Sequence, residues 1–122
     1  MNPVTAASYD VVFNTRGYNI LNDMLSERTY SGIYIIVDTN THEHCLASFL
    51  GNLTSAIPIE IIEINAGEEN KNITTCSGVW DALAALNADR KALVINLGGG
   101  VVTDLGGFVS STFKRGMQFI NI

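Results

Sequence analysis

Three observations predict an α/β fold built on a parallel sheet. Apolar, β-branched runs alternate with segments whose apolar residues recur every three or four positions. The connections between them are short, and the chain places three glycines directly after one of its most apolar runs, in "LVINLGGGVVTDLGGF". Strand, helix, strand in repetition is the pattern of parallel neighbours, because each parallel pair needs a crossover and a helix is the usual one.

The elements follow in order. "YDVVFN" is a short strand-like run, and Ile20, Leu21, Met24 and Leu25 give a helical stripe behind it. "SGIYIIVD" is a stronger strand, β-branched and aromatic, ending at Asp38. Leu46, Phe49, Leu50 and Leu53 recur at helical spacing, and Asn40 with Glu43 has the spacing of a capping box at the front of that segment. "IPIEIIEIN" alternates Ile with Glu as a third strand. Ile73, Cys76, Val79, Trp80, Leu83 and Leu86 form the next helical stripe. "KALVINL" is the fourth strand, a helix is expected from about Val101, and "MQFINI" is the fifth strand. The whole reads as a Rossmann-like parallel sheet with helices on both faces, and residues 1–122 as a single domain.

Composition narrows the partners. The chain has 122 residues, 47% hydrophobic and 16% charged, enough for one globular core. A formal net charge of −5 argues against nucleic acid, whose phosphates demand clustered Lys and Arg. Cys45 and Cys76 lack C-x-x-C spacing and fit a reducing compartment. The start "MNPVTAASYD" has no signal pattern, and no apolar run reaches the length of a membrane span, so the expectation is a cytoplasmic protein with no membrane partner.

In open parallel sheets ligands bind outside the carboxyl ends of the strands. The triple glycine leaves one such end and meets a helix, so free amides and the positive end of the helix dipole share a space that suits an anion. Asp38, with Thr39 and Asn40, leaves another, where a carboxylate can accept ribose hydroxyls. "NAGEENKN" offers Glu68 and Lys71 after the third strand. Together these suit a dinucleotide. Each also has a plainer reading: the glycines as a turn, Asp38 as a helix cap, Glu68 and Lys71 as a solvated pair, Asp104 as a charge that favours a helix start. Gly106 and Gly107, inside a helical segment, point to close packing against a neighbour. "THEHC" holds metal-competent types, but on a helix His42 and Cys45 share a face that His44 does not, and no other His is present, so it is not read as a metal site.

The run "LGGGVVTDLGGFVSSTFKRGMQFINI", taken with "GEENKN" and "VDTN", resembles the amino-terminal domain of 3-dehydroquinate synthase. The resemblance runs from the second strand to Ile122 and is most specific over the triple glycine, Asp104, Gly107-Phe108 and Arg115-Gly116. It implies a tightly held NAD and, in the full-length enzyme, a divalent metal, zinc or cobalt. It implies conversion of 3-deoxy-D-arabino-heptulosonate 7-phosphate to 3-dehydroquinate and phosphate in the shikimate pathway. Carried over by motif, it assigns Asp38, Thr39 and Asn40 to the adenosine side, Glu68 and Lys71 to loop contacts, and Gly99, Gly100, Val101 and Asp104 to the pyrophosphate and nicotinamide end. Arg115 would reach the substrate phosphate across a dimer interface, which implies a homodimer.

Two positions depart from the family pattern: Thr103, where many members have glycine, and Ala66, where some have an acidic residue. The family continues past the position of Ile122 into Pro-Thr-Thr, a catalytic lysine stretch and a metal-binding helical domain. The chain is therefore expected to be the nucleotide-binding part of the enzyme, inactive by itself. The alternatives are a related polyol dehydrogenase, another sugar-phosphate cyclase, or a stand-alone nucleotide-binding module.

Overall fold

The apolar run before Asp38 forms the centre of the molecule. In the computed structural model, which describes residues 15–65, 73–113 and 117–122, it is strand β1 (Ile33–Asp38), buried along nearly its whole length. On one side β1 pairs with β2 (Ile59–Ile64), on the other with β3 (Leu93–Leu97), which pairs in turn with β4 (Gln118–Asn121). All three pairings are parallel and the strand order is β2-β1-β3-β4. The two inner strands are apolar on both faces apart from Asn96, as strands covered on both sides must be, whereas the Ile-Glu alternation of β2 matches its place at an edge of the described sheet. Of the five strands expected, "YDVVFN" lies outside the described residues.

Two cores flank the sheet. Because side chains alternate, Ile33, Ile35 and Val37 point to one face with Leu93 and Ile95, under Leu21 and Leu25 of α1 (Thr15–Glu27) and Phe49 of α3 (Ala47–Gly51). Tyr34 and Ile36 point to the other with Ile62 and Val94, under Val79 and Leu83 of α4 (Ile73–Ala85) and Val102, Leu105 and Val109 of α5 (Gly100–Thr112). Helices therefore cover both faces, as expected. Burying one such Ile or Leu contributes about 1.5–3 kcal/mol.

The ends of the helices show why these segments stop where they do. Asn87 has φ 62, and Ala88 N–H bonds Leu83 O at 2.9 Å while Asn87 N–H bonds Ala84 O at 3.1 Å, a Schellman closure with asparagine in the left-handed position. Asn22 of α1 donates to Asn52 O and accepts from Thr54 N, both at 3.0 Å, tying α1 to the loop behind α3. At the amino end of the sheet, Asp89 Oδ1 accepts from Ser31 Oγ at 2.6 Å and from Lys91 N at 2.9 Å.

Among the described residues two polar side chains are fully buried, Asn96 of β3 and Ser110 of α5. Asn96 donates from Nδ2 to Asn121 Oδ1 of β4 at 3.0 Å. Its amide lies directly beneath Gly106 of α5, where a Cβ would overlap it. The close packing expected of Gly106 is thus present, and the neighbour is a buried amide; Gly107 has the ring of Phe119 beside it.

Gly106→Ala should therefore destabilise the fold by about 1–3 kcal/mol, the usual penalty for overpacking, read as a lower midpoint in urea unfolding. The cysteines should differ sharply towards a thiol reagent at neutral pH. Cys45 is exposed and reacts first, whereas Cys76 is buried and burial pushes its thiol pKa up, so it reacts only as the chain opens.

Candidate functional site

Strand order reverses between β1 and β3: the chain passes from β1 outward to β2, then returns to place β3 on the opposite side of β1. The helix leaving β1 packs on one face and the helix leaving β3 on the other, so the two exits diverge and leave a crevice at their carboxyl ends. Asp38 ends β1, and Gly98, Gly99 and Gly100 follow β3. The two motifs singled out from the sequence thus flank one switch point.

The β1 exit is self-capped. Asp38 is the N-cap of α2 (Thr39–Thr41), in extended backbone with φ −101 and ψ 178. Its Oδ1 accepts from Thr41 N at 2.8 Å and Thr41 Oγ1 at 3.1 Å, and its own N–H donates to Thr41 Oγ1 at 3.0 Å. This corrects the sequence expectation of an Asn40–Glu43 box. The helix begins immediately after the strand, so Asn40 already lies inside its first turn and the capping pair is Asp38 with Thr41. Spacing D-x-x-T was the available signal. Among the described residues no hydrogen bond reaches Asp38 Oδ2, so the capping reading and the hydroxyl-acceptor reading use different oxygens of one carboxylate. Thr39 and Asn40 are exposed beside it. Beyond Thr41 comes a π-helical turn, His42–Leu46, and His42 Nδ1 meets Glu63 Oε1 of β2 at 2.5 Å, a pair the sequence reading did not find.

The β3 exit is the opposite case. Gly98 has φ +157, and a Cβ there would come within 2.9 Å of Val102 Cγ2, so both backbone and space require glycine. The same Cβ position is 3.4 Å from Thr41 Cγ2, which puts the glycine turn against the Asp38 cap. Gly99 is the N-cap of α5 with no side-chain cap, and the first helical amide with a partner is Thr103, bonding Gly99 O at 3.0 Å. The amides from Gly99 to Val102 have no carbonyl one turn back to bond. Around Gly99 and Gly100 a Cβ would meet nothing within 4 Å, so the turn is open on the outside.

Val101 is half-buried, and Asp104 is exposed one turn further on. Thr103, the departure from the family pattern, folds its hydroxyl back onto Gly99 O and Gly100 O at 3.3 Å each. Glu68, Lys71, Ala66 and Arg115 lie outside the described residues. A groove of about 310 Å³ between the end of β2 and α4, lined by Ile62, Glu63, Ile64, Thr75 and Val79 among others, shares no residue with the Asp38 or glycine turns. No group of three His, Cys, Asp or Glu side chains able to hold a metal occurs among the described residues.

Comparison with known proteins bears on the family and the fold. The 3-dehydroquinate synthase from Parabacteroides distasonis is 40% identical over 102 residues, 84% of this chain and 29% of that protein. Among solved structures, 2-epi-5-epi-valiolone synthase from Streptomyces hygroscopicus, with NAD+ and Zn2+ bound, superposes with a TM-score of 0.66 at 28% identity over 97% of this chain and 33% of its own. A 2-deoxy-scyllo-inosose synthase complexed with carbaglucose-6-phosphate, NAD+ and Co2+ gives 0.68 at 24% identity over 84% of this chain and 29% of its own, a likeness of fold. The chain thus spans about a third or less of each of these relatives. Residues 61–122 match the family model for the 3-dehydroquinate synthase amino-terminal domain, and by that match over half its length the chain belongs to that family.

Proposed function

We propose that this chain is the NAD-binding domain of a 3-dehydroquinate synthase, the part that holds the dinucleotide while the remainder of the enzyme supplies the metal and the rest of the substrate site. The observation that carries the reading is the pairing, at one switch point, of an uncapped helix start with a carboxylate that keeps one oxygen unused among the described residues. Two negative phosphoryl groups need donors that carry no side chain in the way; the amides at Gly99, Gly100 and Val101 supply them, with the α5 dipole adding to the attraction. A ribose needs an acceptor for its hydroxyls, and Asp38 Oδ2 offers one, with Thr39 and Asn40 at its side. The residues present fit the cofactor.

When bound, NAD supplies reversible removal of a hydride from a ring alcohol of the substrate, which acidifies the neighbouring proton and permits loss of phosphate. The domain's own contribution is binding and orientation. Asp38 selects the unphosphorylated ribose, since a 2′-phosphate would meet a second negative charge. Asp104, one turn into α5, stands towards the nicotinamide end, with Glu68 and Lys71 as further cofactor contacts and Arg115 as the substrate-phosphate ligand across a homodimer interface. A cytoplasmic setting and a sugar-phosphate substrate belong to the same proposal. No helix among the described residues is long and apolar enough to cross a membrane.

A second reading, another sugar-phosphate cyclase, draws support from the two solved structures. The greater identity to a protein named 3-dehydroquinate synthase, 40% against 28% and 24%, favours the first.

Calorimetric titration of the purified protein should show NAD binding and much weaker binding of NADP. Asp38→Asn keeps a competent N-cap but loses the charge. It should weaken NAD about tenfold, the lower end of what a charged hydrogen bond contributes, and narrow the NAD/NADP ratio. Unchanged affinities would remove Asp38 from the site. Gly99→Val provides the complementary test. Backbone φ −82 accepts any residue and nothing crowds the position, so the variant should lose only about 1 kcal/mol, the cost of an apolar N-cap, while NAD binding is lost. Full binding by this variant would mean that the glycine turn carries no ligand.

A further inference from the structure

We propose that the His42–Glu63 pair is a positioning latch for the Asp38 turn, setting the affinity of the adenosine side of the site without touching the nucleotide. The inference rests on the dinucleotide reading above. His42 directly follows Thr41, the partner of Asp38 in the reciprocal cap, and its Nδ1 lies 2.5 Å from Glu63 Oε1. Glu63 stands in register with Val37, the residue before Asp38. The contact therefore closes a short ring: strand β1 into the cap, the cap into His42, His42 across to β2, and β2 back through its ladder to β1.

The ring adds a tie across to β2, beside those that the cap and the Thr41–Gly98 contact supply. The turn is the first of a helical stretch that runs on through a π-helical turn, His42–Leu46, to Gly51, with Leu46 and Phe49 buried. A π-turn widens the helix and loosens its bonding, and such turns recur where a chain positions functional groups. Among the described strands β2 is bonded only to β1. With Oδ1 of Asp38 committed to the cap, the direction of Oδ2 follows the rotation of the turn as a whole. A tie from the residue next to the cap to the neighbouring strand fixes that rotation. The side chains are 50% and 39% exposed, so either can be replaced without opening a cavity, and the effect should be of the size of an exposed pair.

His42→Ala, Glu63→Ala and the double variant would be titrated calorimetrically with NAD, ADP and inorganic pyrophosphate. NAD and ADP affinities should fall about two- to fivefold in each single variant, and the double variant should be no weaker than the singles. Glu63→Gln keeps an acceptor oxygen and should recover most of the loss. Pyrophosphate, which needs only the glycine amides, should bind as in the parent, and a general loosening of the fold would not spare it. Parent-like ADP binding by both alanine variants, or an equal loss for pyrophosphate, overturns the latch. Failure of the parent to bind NAD or ADP at all overturns the dinucleotide reading and the latch with it, so the two failures are told apart by the parent alone.

Discussion

Everything about the candidate site depends on the reversal of strand order beside β1. Three parallel strands laid down in one direction would send each following helix over the same face, and their exits would run side by side. Here the chain moves from β1 to β2 with its helix on one face, then back past β1 to β3 and on to β4 with helices on the other. A single crossover hand requires that exchange: reversing the direction of travel moves the connecting helix to the opposite face. The crevice is a consequence of the topology, and the side chains only furnish it.

The two exits are furnished in opposite ways, and the contrast makes the site intelligible. At β1 the chain satisfies its own helix start, with Asp38 and Thr41 bonding each other reciprocally. At β3 it leaves the start of a longer helix without any side-chain cap, although serine, threonine, asparagine and aspartate are all common in the sequence. An uncapped start is stable enough in water, because solvent can meet the amides. It becomes useful when an anion replaces that solvent. Gly98 connects the two exits physically: its missing side chain leaves room for Val102 on one side and for Thr41 on the other.

Much of this was legible in the sequence because it follows from period and position. Apolar runs of five or six residues became β1 and β3, the Ile-Glu alternation became an edge of the described sheet, and the apolar stripes around Leu21, Phe49, Val79 and Leu83 are buried as their spacing implied, except that Ile20, expected in the first stripe, turns to solvent. Asp38 and the glycines could be placed at strand ends by the same logic. The capping partner was misread because two spacings, Asn40–Glu43 and Asp38–Thr41, compete within four residues, and only the point at which the strand ends decides between them. The His42–Glu63 contact joins residues 21 apart through a parallel register that no local pattern encodes. Nor could the sequence announce that Asn96, one polar residue in an apolar strand, would sit fully buried under a glycine.

That last feature links the interior to the mouth. A side chain at position 106 would hold α5 away from β3, yet a helix that is to present its first amides at the end of β3 gains from lying low on the strand it follows. Gly106 permits the approach, and Asn96 is what it approaches. The asparagine donates to Asn121, which keeps β4 in register, while its Oδ1 faces the glycine with no hydrogen-bond partner among the described residues. A carbonyl oxygen against a glycine Cα has only a weak C–H contact to offset its burial, so the arrangement is less stable than an apolar one of the same shape. Stability alone would favour leucine or valine at position 96. A side chain of either kind would still have to fit beneath the same helix, but it could not bind Asn121 or hold the carboxyl end of β4 beside that of β3. Those two ends carry the chain towards the same edge of the sheet as the glycine turn, so the buried amide exchanges some packing stability for a fixed alignment of the strands that border the crevice.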